Sequence, residues 1–113
     1  MDKTELLEFA HYFFDRCQTL MHAKNNDYTP SDDAFGNFRN VEKFGIPTED
    51  GFITRMVDKL SRIATFTQKG ELLVKDESVQ DTLLDLANYA CLMAAYIESQ
   101  KEKLHGTPGP MAE

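Results

Sequence analysis

From Tyr89 to Ile97 the chain reads YACLMAAYI, with apolar side chains almost all the way round a helical turn. A helix that is apolar on every side has to be covered on every side. The surrounding pattern predicts a helix from about Asp76–Ser78 to about Lys103, opened by a capping box in Ser78-x-x-Asp81. Val79, Leu83, Leu86, Ala90, Met93 and Ile97 form its apolar seam at alternating steps of four and three. A chain of 113 residues has too few helices of its own to bury such a segment, so self-association into a homodimer or homotetramer is expected.

Two further helices follow from the same periodicity. The first is expected from about Lys3 to His22, with Leu6, Ala10, Phe13, Cys17 and Leu20 in one row and Leu7, Phe14 and Met21 beside it. The second is expected to start at Thr48 or Glu49, after Pro47, and to stop at Lys69-Gly70. Its main row is Ile53, Val57, Leu60, Ala64 and Thr67, flanked by Phe52, Met56, Ile63 and Phe66. Between these helices, KNNDYTPSDDAFGNFRNVEKFGIPTED loses the periodicity. A short helix near Ser31 or Asp32 is possible, weakened by Gly36, and the interleaved Tyr28, Phe35, Phe38 and Phe44 predict an ordered loop packed onto the core. The expected fold is an all-α bundle of three main helices and a structured loop, one domain over 1–104, with a disordered Gly/Pro-rich tail over 105–113.

The net charge is −7 and no basic run occurs, which argues against duplex nucleic acid as the main partner. No apolar run reaches the roughly 20 residues of a membrane span, so no membrane partner is expected. The start MDKTELLEFAHYFF lacks the pattern of a signal peptide, and Cys17 and Cys91 read as buried thiols of a reducing compartment. The expected location is the cytoplasm.

Glu77, Asp81 and Asp85 stand four apart, and at about 100° per residue they share a stripe about 80° wide. Leu92 falls inside that stripe further along and Tyr96 beside it, so the acids point toward a cleft between helices. Stacked carboxylates repel and call for neutralisation, most simply by a divalent cation such as Mg²⁺. Asp85 lies mid-helix with no basic residue three or four positions away, whereas Asp58 has Arg55 and Arg62 for ion-pair partners on its own helix. Lys24, Asp27 and Tyr28 in KNNDY mark a helix end or, functionally, a lysine for phosphate and an aromatic platform for a base. Asn37 and Phe38 are loop anchors or base contacts. His11, His22 and His105 have no partner at metal-ligand spacing. No Gly-rich phosphate loop, HExxH or nucleophile elbow is present, leaving metal-assisted hydrolysis as the main enzymatic option.

The blocks KNNDY, DDAFGNFRN, RMVDKLSRI and ESVQDTLLDLANYA, in that order from about Lys24 to Ala90, resemble the phage-associated nucleotide modification associated domain 1 family. More distantly, DTLLDLANY is similar to the second acidic motif of the MazG-like all-α nucleoside triphosphate pyrophosphohydrolases, which include the dimeric dUTPases. The resemblance implies an oligomeric helical bundle in the host cytoplasm that holds Mg²⁺ or Mn²⁺ and splits a (deoxy)nucleoside triphosphate into the monophosphate and pyrophosphate. By motif, Asp81 and Asp85 take the place of the second-block acids, Asp58 stands near the first block, and Glu77 is a further ligand or the base. Lys24, Arg55 and Arg62 would then offset charge on the departing pyrophosphate, with Tyr28, Asn37 and Phe38 bounding the base. The acids here are four apart where the MazG pattern has three, and Asp58 is followed by Ser61 and Arg62 rather than a second glutamate. Two alternatives stand beside this reading: a non-catalytic nucleotide-binding or sensing module, and a structural helical dimer whose acids are a solvated face.

Overall fold

The computed structural model describes residues 1–28, 33–70 and 78–105, the side chains of 25–28, 104 and 105 excepted. Among these residues the protein is all-α, with no strand. Helix α1 spans Lys3–Tyr28, α2 Gly36–Arg39, α3 Thr48–Lys69 and α4 Val79–His105, and a 3₁₀ turn over Asn40–Phe44 joins α2 to α3. α4 is the central element: α3 packs along it and α1 lies against it.

The helix ends follow local chemistry. Asp2 and Glu5 cap α1 reciprocally, the Glu5 N–H donating to Asp2 Oδ1 at 2.8 Å and the Asp2 N–H to Glu5 Oε1 at 3.0 Å. The expected box at α4 is present as well, with the Asp81 N–H on Ser78 Oγ at 3.0 Å and the Ser78 N–H on Asp81 Oδ2 at 3.3 Å. α3 starts after the extended Pro47, with Glu49 and Asp50 in its first turn complementing the helix dipole. It stops at Gly70, whose φ of 77° lets its N–H reach the Phe66 carbonyl.

The core is aromatic. Phe52 is fully buried and stacks on Phe38 at 4.1 Å between centroids, while Phe35 meets Tyr96 edge-on at 5.4 Å. Met56, Tyr89, Leu92 and Met93 pack around this cluster. α2 can approach α3 closely because position 51 is glycine: a Cβ there would sit 3.2 Å from the Phe38 carbonyl oxygen. Thr48, 1% exposed, donates its hydroxyl to Glu42 Oε2 at 2.6 Å and ties the 3₁₀ turn to the start of α3.

Several expectations are corrected. α1 does not stop at His22 but runs to Tyr28, so Lys24 lies within a helix, where its ammonium pairs with Asp85 on α4. On α3 the flanking row is the inner one: Phe52 is locked between Phe38 and Tyr96, which turns Ile53, Val57 and Leu60 to the surface. On α4 the buried residues are Thr82, Leu84, Asn88 and Tyr96, so Leu83 and Ile97 of the expected seam face outward. The segment YACLMAAYI is covered on the side of Tyr89, Leu92, Met93 and Tyr96, with Ala90, Cys91, Ala94, Ala95 and Ile97 exposed. Cys17 is buried as expected, but Cys91 is exposed. Phe35 and Phe38 pack down, whereas Phe44 is 81% exposed. The expected helix start at Ser31 or Asp32 and the tail after residue 105 lie outside the described residues.

Candidate functional site

Thr82, Asp85, Tyr89, Leu92 and Tyr96 follow one another at alternating steps of three and four along the inner side of α4. That row puts a carboxylate into the interior, and its counter-charges come from the two neighbouring helices. Lys24 of α1 donates to Asp85 Oδ1 at 3.0 Å, and Lys59 of α3 lies 3.0 Å from Asp85 Oδ2. The side chains of Asp85 and Lys59 are 14% and 11% exposed, and that of Lys24 is 38% exposed. Burial pushes the Asp85 carboxyl up, but the hydrogen bonds and charges of Lys59 and Lys24 outweigh it and hold the group below the usual carboxylate range. Each carboxylate oxygen of Asp85 thus meets one ammonium group, from a different helix.

Lys59 is the residue that sequence reasoning overlooked. It completes the row Phe52, Met56, Lys59, Ile63 and Phe66, where steps of four and three leave a gap filled by a charge. A lysine in the inner row of an otherwise apolar helix seam is the signal that would have found it, since buried lysines are rare unless paired. Asn88 was overlooked too: it is 7% exposed and its Nδ2 donates to the Cys17 carbonyl at 3.1 Å, clipping α1 to α4 next to the cluster.

The other expected residues fall in different places. Asp81 is one turn before Asp85, half-exposed, 3.6 Å from Arg16 Nη2. Asp58 is exposed on α3 and pairs with Arg62 at 3.3 Å, one turn on. Glu77 and the side chains of Asp27 and Tyr28 lie outside the described residues. Asn37, Phe38 and Arg55 do come together, with Thr54 and Asp50, around a cavity of about 260 Å³. Phe38 cannot serve as a stacking platform there: Phe52 covers one face and the Arg55 guanidinium lies over the ring at 4.7 Å. Arg55 precedes Lys59 by one turn, about 6 Å of helix rise. Tyr89, one turn after Asp85, touches the Phe38 ring edge-on at 6.1 Å. The cavity, lined by α2, the 3₁₀ turn and the first half of α3, and the lysine cluster therefore share α3 alone.

A Mg²⁺ or Mn²⁺ centre needs about six oxygen ligands in near-octahedral array. Among the described residues no group of three or more His, Cys, Asp or Glu could hold a metal ion. Both oxygens of Asp85 already meet ammonium groups, and Asp81 and Asp58 each face an arginine. The described acids thus do not fit a divalent centre. Nor is Asp85 part of a solvated face, although Asp58 is.

Residues 24–97 match the family model of the nucleotide modification associated domain 1. The chain belongs to this family. The matched segment contains Lys24, Lys59, Asp81 and Asp85. No curated protein and no solved structure matches the chain. Among the described residues, no helix is long and apolar enough to cross a membrane.

Proposed function

We propose that this protein binds a (deoxy)nucleotide through its phosphates at Lys24 and Lys59 and acts on the nucleotide pool that serves DNA modification. The observation that carries this reading is the convergence of two lysines, from different helices, on one largely buried carboxylate. Asp85 holds both ammonium groups in place, so a phosphate meets donors that are already oriented. The cavity at Asn37, Thr54 and Arg55, a turn away along α3, offers the Asn37 amide as a donor and the Thr54 hydroxyl oxygen as an acceptor for the sugar or base. The family's description supports a nucleotide as the ligand class. The test is a melting screen with common nucleotides. A rise in Tm with at least one of them, absent in Lys24→Met, supports the reading; no rise with any of them contradicts it.

An enzymatic form of this function is favoured by Asp81, a half-exposed carboxylate one turn from Asp85. In a pyrophosphohydrolase, water attacks the α-phosphorus and loses its proton to such a carboxylate. The bond from that phosphorus to the bridging oxygen breaks, and pyrophosphate leaves with the electron pair. Lys24 and Arg55 would offset the charge on the leaving group. Pyrophosphate release from a dNTP by wild type, lost in Asp81→Asn, supports this form. Equal release by both proteins argues against it.

We also infer that the chain self-associates. Leu7 and Phe14 of α1, Val57 and Leu60 of α3, and Leu83 of α4 are large apolar side chains at the surface, and a second copy is the occupant that the all-round apolar α4 calls for. Light scattering that returns a monomer mass at micromolar protein would exclude it.

A further inference from the structure

We propose that Lys24 and Lys59 do at this site what a divalent cation does in other phosphate-handling clefts, so that the chain holds the phosphates of its nucleotide without Mg²⁺. The inference rests on the nucleotide-binding reading above and goes further by fixing the charge state of the ligand, a metal-free nucleoside phosphate. Three observations lead to it. Each oxygen of Asp85 meets one ammonium nitrogen at 3.0 Å, so a dication entering there would displace two cations, one of them nearly enclosed. The ammonium groups oppose an incoming dication, Lys59 more than Lys24 because it is nearly enclosed while Lys24 is half-exposed to screening solvent. No other group of three His, Cys, Asp or Glu among the described residues offers a metal an alternative.

The cluster has the properties of an anion site instead. An ammonium group has three N–H donors, and Asp85 accepts one from Lys24 at Oδ1. Lys24 is the more open of the two lysines and would meet the ligand first, whereas Lys59 supplies fixed charge from below. Since both are tethered by Asp85, little side-chain entropy is lost when a phosphate docks. A nucleotide stripped of Mg²⁺ carries more negative charge and is attracted more strongly.

The experiment is calorimetric titration of the full chain with the four common dNTPs and with inorganic pyrophosphate, once in EDTA and once in Mg²⁺. The expected result is binding in EDTA at least as tight as in Mg²⁺, weakened about tenfold or more in Lys24→Met and in Lys59→Met. Binding that requires Mg²⁺ overturns the inference and leaves the nucleotide reading standing. Binding in EDTA that neither lysine variant weakens overturns the inference together with the placing of the phosphates at Lys24 and Lys59. No binding of any probe in either buffer overturns both. Circular dichroism checks the fold of each variant, and if Lys59→Met does not fold, the half-exposed Lys24→Met decides.

Discussion

Lys59 on α3 and Asp85 on α4 meet at 3.0 Å with about a tenth of each side chain exposed, making an ion pair within the seam that joins the two most closely packed helices. Removing Asp85 and removing Lys59 are not equivalent. Asp85→Ala leaves two ammonium groups without their shared anion and is expected to cost about 3–5 kcal/mol. Lys59→Met leaves Asp85 paired with Lys24 and is expected to cost less, about 1–3 kcal/mol. Urea denaturation at neutral pH, with unchanged slope, measures both, and the order Asp85→Ala worse than Lys59→Met is the result to check.

The same pair makes stability depend on acid. The folded Asp85 carboxyl lies below its unfolded value, so the unfolded chain takes up its proton first as pH falls. The stabilisation is fully present above the unfolded pKa of about 3.9 and is lost as pH drops through the folded value. Wild type should therefore exceed Asp85→Asn in stability at neutral pH, with the gap closing below about pH 4. A gap that stays constant through this range would show that the carboxylate charge is not what the lysines hold.

Asn88 gives a prediction about how α1 is attached. Its side chain bridges to the Cys17 carbonyl in a buried setting, so Asn88→Leu leaves that carbonyl without this donor. The expected loss is about 1–3 kcal/mol. Hydrogen exchange should quicken around Cys17 more than in α3, because α3 does not depend on this bond.

The rows of α3 separate core from surface. Phe52→Ala removes a fully buried ring and should cost about 3–5 kcal/mol. Val57→Lys, at a side chain 53% exposed, should leave the fold of one chain intact and, if a second copy covers that face, lower the mass seen by light scattering. A Val57→Lys protein that keeps an oligomeric mass would place the interface elsewhere.

These residues also show what could be read in advance. The capping box at Ser78, the stop at Gly70 and the all-α class follow from short-range rules, and the structure bears them out. Which row of a helix faces inward does not follow from such rules when two apolar rows lie side by side. Phe52 outranks Val57 on α3 only because Phe38, brought in by the segment after α1, stacks upon it. The inward direction of Asp85 was legible from Leu92 and Tyr96 on the same side of α4. Its partners were not, because Lys24 and Lys59 stand 61 and 26 positions away and no local spacing connects them. Asp81 reads like Asp85 in sequence, whereas Asp58 already has Arg55 and Arg62 beside it; packing leaves Asp81 half-exposed next to Arg16 and Asp58 exposed next to Arg62.

The most direct test of the lysine cluster as a phosphate site is the affinity of wild type and Lys24→Met for the four common dNTPs under one buffer condition. Lys24 is half-exposed, so its loss should spare the fold while removing one charged donor. At least one dNTP should bind wild type and bind Lys24→Met about tenfold or more weakly. Equal affinity of the two proteins for every dNTP that binds, or no binding to wild type at all, would contradict the account.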